Sequence, residues 1–238
     1  MRVNARQERR VRTGAARSRP DPGMLWQPSL FDPPQPAADD AAPRPEARRS
    51  LDADSWVEVV PEWLADPEPV FRRLLETCPW EQRDRWMFDR MVVEPRLTAQ
   101  YASLAEVPHP ALVEAADALS ETYGVRFDHL WLNFYRDGND STAWHRDRFS
   151  CRLPQCIVPV LSLGATRRFL LRRREGGRSI PFQVSSGTLL VMGGRAQQDW
   201  VHSVPKAPGV AGARISVNFQ SSEQAIDPDG DPPRRARG

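Results

Sequence analysis

In the tetrapeptide WHRD, residues 144–147, His145 and Asp147 stand two apart just after the turn-forming run RDGNDS. Side chains two apart on an extended strand point to the same face. A nitrogen and an oxygen so placed can share one metal ion. The plainer alternative is two polar residues on the wet face of a strand. A third ligand must come from elsewhere, and with four histidines in the chain the candidates are few. His109 sits in PHP at a helix entry and reads as a loop residue. His129 reads as a partly buried strand residue. His202 lies in DWVHSVPK, read as a polar loop after the strand-like GTLLVMGG, with Trp200 beside it. Two histidines and one carboxylate leave three coordination positions open, the set that suits a non-haem Fe(II) oxygenase.

Arg214 opens the last strand-like run, RISVNF, 12 residues after His202. An arginine pointing into a barrel interior is costly unless an anion meets it. Its planar fork suits bidentate capture of a carboxylate. The alternative is an ordinary salt bridge to one of the 31 Asp and Glu residues.

The elements that must position these groups fall into three regions. Residues 1–50 are rich in Arg, Pro, Ala and Asp and poor in large apolar residues. Such a segment cannot bury enough surface to offset its ordering entropy and is expected to be disordered, as is the tail at 223–238. Met24 is an alternative start. The globular domain is expected over residues 51–222. Asp66 and Pro67 signal a helix start, and Phe71, Leu74, Leu75 and Cys78 follow at spacings of three and four. A second helix is expected from about Pro110 to Tyr123, with Leu112, Ala116, Leu119 and Tyr123 on one stripe and Gly124 as its C-cap. From Phe127 onward the signal is strands: HLWLNFY, IVPVLSLG, RRFLLRR, IPFQV, GTLLVMG and RISVNF. Helices followed by many short strands indicate an α+β domain with an antiparallel sandwich or barrel.

Bulk properties exclude little more. A formal charge of +2 carries no argument for nucleic acid by itself. The apolar runs are far short of the roughly 20 residues of a membrane helix, so no membrane partner is expected. The Arg-rich start lacks the apolar segment of a secretory signal. Three cysteines, Cys78, Cys151 and Cys156, are too few for a disulfide framework and hold no C-x-x-C pair. A reducing, cytoplasmic setting and a monomer are expected.

The ordered runs NFYRDGNDSTAWHRD, LSLGATRRFLLR, GTLLVMGG, QDWVHSVPK and RISVNF together resemble the AlkB family of Fe(II)- and 2-oxoglutarate-dependent dioxygenases, over roughly residues 90–220. The resemblance implies a double-stranded β-helix, a jelly roll flanked by N-terminal helices. It implies iron held by His145, Asp147 and His202. Arg214 would bind 2-oxoglutarate, with Asn133 and Tyr135 matching the family's N-x-Y. With dioxygen, the reaction would oxidise an alkyl group on a base of DNA or RNA and release succinate, CO2 and an aldehyde.

The chain departs from the family pattern at three places. Phe149 stands where well-studied members carry an acidic residue. The final R-x-N-x-T-x-R becomes Arg214, Ser216, Asn218 and Gln220. The segment after PRLTAQY runs almost directly into a helix, where related repair enzymes carry a longer lid. An apolar Phe149 predicts tolerance of uncharged or bulkier lesions. The basic run at residues 167–178, including Arg167 and Arg168, is expected to contact phosphates, or else to be a solvated hairpin. Phe149, Trp144 and Tyr101 are candidates to stack on a base. Two other readings stay open: an oxygenase acting on a protein or small molecule, and a nucleic-acid-binding jelly roll without turnover.

QPSLF at residues 27–31 resembles the short peptides, Gln followed three residues later by Leu-Phe, that dock bacterial proteins onto the replicative sliding clamp. The alternative is that Leu30 and Phe31 pack back onto the domain. Clamp docking predicts that a peptide of residues 24–34 binds the clamp in the micromolar range or tighter, roughly −8 kcal/mol. Absence of binding, with loss of domain stability on deleting the arm, favours packing.

Overall fold

Both helix signals mark helices in the computed structural model, which describes residues 48–87, 90–147 and 151–225. Pro67 opens α1 (Pro67–Thr77), where its fixed φ suits the first helical turn and its missing N–H costs nothing. In α2 (Pro110–Tyr123), His109 is the N-cap and its Nδ1 accepts from the Ala111 N–H at 3.2 Å. Gly124 ends α2 at φ 64°, the left-handed conformation that glycine takes without strain. The arm with residues 27–31, Met24, Phe149 and the tail from 226 lie outside the described residues.

Strands begin earlier than the sequence signal suggests. β1 (Arg49–Ser50) and β2 (Ser55–Val60) precede α1, while β3 (Glu81–Met87) and β4 (Arg90–Tyr101) lie between the helices. β3 reads EQRDRWM, too charged to carry a strand signal, and Pro95 interrupts β4. Then come β5 (His129–Tyr135), β6 (Thr142–His145), β7 (Val158–Gly164), β8 (Arg167–Arg173), β9 (Ile180–Val184), β10 (Leu189–Gly194), β11 (Trp200–Val204) and β12 (Arg214–Gln220). The short turn α3 (Ala196–Asp199) joins β10 to β11, and α4 (Ser222–Ala225) follows β12.

The strands form two antiparallel sheets. The larger runs β1-β2-β10-β7-β12-β5-β4-β3 and the smaller β6-β11-β8-β9. From β5 to β12 the chain passes repeatedly from one sheet to the other, the winding of a double-stranded β-helix. Alternation along each strand divides the residues. On β12, Ile215, Val217 and Phe219 join Leu130 and Leu132 of β5 in a core with Leu74, Leu112, Ala116 and Leu119 of the two helices. Arg214, Ser216 and Asn218 on β12, and Asn133 and Tyr135 on β5, take the opposite face of the sheet. A second apolar cluster, including Val158, Phe169, Leu171, Met192 and Trp200, draws on both sheets.

Tyr101, a candidate base-stacking residue in the sequence, belongs to the helix-facing core. It is 9% exposed and its hydroxyl donates to Cys78 Sγ at 3.2 Å. Its place follows from strand phase: Leu97, Ala99 and Tyr101 share one face of β4, and that face meets the helices. Cys151 and Cys156 are joined as a disulfide across a short turn, a single link that the sequence reading did not anticipate. Proximity within one turn, not a framework, brings them together.

Candidate active site

β6 and β11 pair in antiparallel register with His145 directly opposite His202. Opposed residues on such strands have adjacent side chains, and the two rings lie 4.2 Å apart. Asp147 follows two residues past His145. Its Oδ1 lies 3.5 Å from His145 Nε2 and its Oδ2 3.5 Å from His202 Nε2. One ligand atom from each residue falls within 4.8 Å of the others, so small side-chain adjustments bring all three to the bonds of about 2 Å that one ion needs. Imidazole nitrogens and a carboxylate suit Fe(II). Contrary to the sequence reading, His202 is not on a loop. It sits in mid-strand, 6% exposed, its ring stacked on Phe169 at 5.2 Å.

The local fields sort the protons. Burial lowers the pKa of His202 to about 4, and the neighbouring His145 adds to that effect. Burial acts the same way on His145, but the carboxylate of Asp147 and the Ala143 carbonyl outweigh it and raise its pKa above 6.5. Burial opposes ionisation of Asp147, yet His202 and His145 hold its pKa at about 2. The Ala143 oxygen lies 2.8 Å from His145 Nδ1. A proton on Nδ1 directed there leaves Nε2 as the metal donor.

The sign of the pH dependence follows. Metal needs both imidazoles neutral. Above the pKa of His145 no proton competes; below it, affinity for Fe(II) should fall about tenfold per pH unit, steepening to two protons below about 4, where His202 also titrates. Titrating the protein with Co(II) between about pH 5 and 8 tests this. Affinity that stays flat over that range contradicts the protonation scheme.

On the larger sheet, Arg214 stands opposite Tyr135 on one side and Gly164 on the other. Arg214 is 1% exposed. Nη2 donates to Ser162 Oγ at 2.9 Å, while Nε and Nη1 have no hydrogen-bond partner among the described residues. Burial lowers its pKa, and the charge of Arg167 adds to that, against the opposing influence of Tyr135. Arg167 makes an instructive contrast. It is also buried, and both guanidiniums lie near the Tyr135 ring, at 5.6 and 5.2 Å. Arg167, however, donates to the carbonyls of Asp137, Asp140 and Pro205 at 2.7–2.9 Å. Among the described residues Arg167 keeps one unpartnered nitrogen, Nε, whereas Arg214 keeps two, Nε and Nη1, and a carboxylate fits its fork.

Arg167 therefore does not contact phosphate, as the sequence reading had it. It ties the loop entering β6 to the residue following β11. Arg168, the next residue along β8, is exposed. Trp144 is half-buried beneath Arg172, whose guanidinium lies 4.3 Å from the ring. Asn133 bridges strands: its Oδ1 accepts from Arg96 Nε at 2.9 Å and Trp131 Nε1 at 3.2 Å, and its Nδ2 donates to Ser216 Oγ at 3.2 Å. The hydroxyls of Tyr135 and Thr142 share a hydrogen bond of 2.8 Å.

The sequence reading missed Arg96. It is paired with Glu94 at 3.1 Å, and its charge reaches both His145 and Asp147. The alternation Arg96, Thr98, Gln100 against Leu97, Ala99, Tyr101 was the available signal. A separate cavity of about 470 Å³, lined by Arg48, Trp56, Tyr123 and Ile157 among others, contains none of these site residues.

A family model of the 2OG-Fe(II) oxygenase superfamily matches residues 58–219, the span that carries the triad and Arg214. The chain belongs to the 2OG-Fe(II) oxygenase superfamily. Among its relatives, alkB homolog 3 of Rattus norvegicus, called an alpha-ketoglutarate-dependent dioxygenase, is 34% identical over 196 residues. That match covers 74% of this chain and 64% of the relative. The Homo sapiens homolog 3 is 33% identical, covering 64% of this chain and 60% of that one. The DNA oxidative demethylase ALKBH2 of Arabidopsis thaliana is 30% identical, with 63% and 60% covered. The chain thus spans under two thirds of the length of these relatives. Within the superfamily it is a member of the AlkB family. Two solved structures share the fold at low identity. OsALKBH1 has a TM-score of 0.51 at 14% identity, covering 74% of this chain and all of that one. A Trichoplax adhaerens prolyl hydroxylase has 0.52 at 11%, covering 71% and 85%. The family's chemistry draws on Fe(II), 2-oxoglutarate and dioxygen.

Proposed function

We propose that this chain is an Fe(II)- and 2-oxoglutarate-dependent dioxygenase that removes alkyl groups from damaged bases in DNA, with RNA a second substrate class. The observation that carries the reading is the pairing of a His-Asp-His cluster with a buried arginine that retains unpartnered donors. The name of the Arabidopsis thaliana relative, a DNA oxidative demethylase, supports the nucleic-acid substrate. When bound, iron and 2-oxoglutarate supply the oxidising chemistry: one oxygen atom of O2 enters succinate, the other turns an N-methyl into an N-hydroxymethyl group, and formaldehyde leaves.

The chain's own residues do the holding. His145, Asp147 and His202 present the metal donors on one sheet. Arg214, on the other sheet, captures the far carboxylate of 2-oxoglutarate. Tyr135, held by Thr142, and Asn133, held by Arg96 and Ser216, share the sheet face of Arg214. A base inside a duplex hides its methyl group, so the substrate must be single-stranded or flipped out, at a cost of a few kcal/mol.

The exposed arginines of β8 and its following loop, Arg168, Arg173, Arg174 and Arg178, lie on or beside the strand that carries Phe169, the neighbour of His202. We assign them to phosphates. Arg168→Ala should then lower the log–log salt slope of oligonucleotide binding by about 0.7–0.9. Arg167→Met should instead leave the slope unchanged and lower folding stability by roughly 2–4 kcal/mol, as three carbonyls lose a charged donor. Salt-dependent binding and denaturant unfolding on both variants separate the two roles. The reverse pattern would return Arg167 to the phosphates.

The reading is tested by screening methylated single-stranded oligonucleotides against free methylated nucleosides and peptides for 2-oxoglutarate turnover. Oligonucleotides should be strongly preferred. Turnover confined to the free compounds or peptides would refute the nucleic-acid assignment and leave the oxygenase.

A further inference from the structure

The two histidines of the cluster need no help to stay in register, because β6 and β11 are zipped together with His145 opposite His202. Asp147 lies beyond that strand pairing. β6 ends at His145, and strand pairing does not extend to the carboxylate ligand. Yet its two oxygens must reach toward two imidazoles at 3.5 Å each. A ligand two residues past a strand's end needs something else to hold its backbone.

That support comes from α3, the single helical turn leading into the strand of His202. Gln197 is 4% exposed, and its Oε1 accepts the Asp147 backbone N–H at 2.9 Å. Its Nε2 rests against Met192 Sδ at 3.7 Å, which fixes the amide with its oxygen toward Asp147. The neighbouring residue repeats the tie: Arg146 Nη1 donates to the Gln198 carbonyl at 3.1 Å. On the far side of Asp147, its own carbonyl accepts from the Cys151 N–H at 3.1 Å, and Gln198 Nε2 donates to Leu153 O at 3.0 Å. Cys151 is linked to Cys156, whose N–H donates to Gly194 O at 3.0 Å, just before α3. The ligand segment is thus bracketed on both sides by one short turn.

We propose that Gln197 is a positioning residue for the metal centre, acting through the Asp147 backbone and never touching the ion. The proposal rests on the metal-site reading above. Groups that orient a metal ligand from behind typically contribute 10- to 100-fold to metal affinity. A buried glutamine that only filled space would contribute to stability alone.

The test uses the full chain and Co(II) as the probe ion, read by its visible absorption and by calorimetric titration. Gln197→Met keeps the volume and removes the acceptor; Gln197→Leu serves if that variant does not fold. Met192→Leu is the packing control, because it disturbs the same pocket and leaves the acceptor in place. Co(II) affinity should fall about 10- to 100-fold in Gln197→Met and stay within about threefold of wild type in Met192→Leu. Amide hydrogen exchange at Asp147 should quicken only in the former. Wild-type affinity in Gln197→Met, with affinity lost in His202→Ala, overturns this inference alone. If His202→Ala binds Co(II) as well as wild type does, the metal-site reading fails and takes the inference with it.

Discussion

Replacing His202 or Asp147 with Ala will abolish 2-oxoglutarate-dependent turnover while leaving a folded protein. Each supplies one of three donors that lie within 4.8 Å of one another, and two remaining ligands hold an ion poorly. The loss should exceed the roughly 100-fold seen for groups that only orient ligands. The fold should survive, because the double-stranded β-helix is held by apolar clusters that contain neither residue. His202 does pack on Phe169, so a drop of a few degrees in Tm is expected for its variant, about 2–4 °C per kcal/mol. Near wild-type turnover in either variant removes these residues from the metal site. Loss of the circular dichroism spectrum along with turnover would show that they hold the fold.

Arg214→Lys will raise the KM for 2-oxoglutarate with little change in kcat. Lysine keeps the charge and loses the planar fork. Among the described residues Nε and Nη1 have no partner, so each of the two bidentate edges of the guanidinium, Nε with Nη2 and Nη1 with Nη2, keeps a donor for a carboxylate. Charge-assisted hydrogen bonds contribute about 1.5–3 kcal/mol, so KM should rise roughly 10- to 100-fold. Burial gives the prediction its force, since at 1% exposure neither water nor another side chain can take the lost role cheaply. Steady-state kinetics at fixed saturating nucleic-acid substrate measures it. An unchanged KM would make Arg214 a structural cation held by Ser162.

The chemistry was easier to read from the sequence than its setting. His145 and Asp147 stood out because two ligand types two apart share one side of a strand, and few histidines competed for third place. Arg214 stood out because a charge at the start of an apolar strand demands a reason. The strand character of His202 was hidden by its polar flanks, and only pairing with β6 and β8 makes WVHSV a strand. Phase explains the errors at Arg167 and Tyr101. RRFLLRR alternates, so Arg167 shares its side with Phe169 and Leu171, and Arg168 faces out. The alternation was visible, but nothing local says which side meets the site. β3 and β4 were missed because strand-forming there is imposed by pairing, β4 with β5 and β3 with β4, against a charged sequence. Gln197 had no local signal of function, and the alternation around Arg96 did not name its partner, since Asp147 and Asn133 are 50 and 37 residues away.

The most direct test of nucleic-acid dealkylation at this site measures succinate and formaldehyde together. Purified protein with Fe(II) and 2-oxoglutarate is given a single-stranded oligonucleotide carrying 1-methyladenine or an etheno adduct, with His202→Ala in parallel. Wild type should release formaldehyde from the methylated strand in a ratio of about one to one with succinate, restore the unmodified base, and do neither once His202 is replaced. Succinate formed at the same rate with and without the modified strand, and no repaired base, would contradict the account.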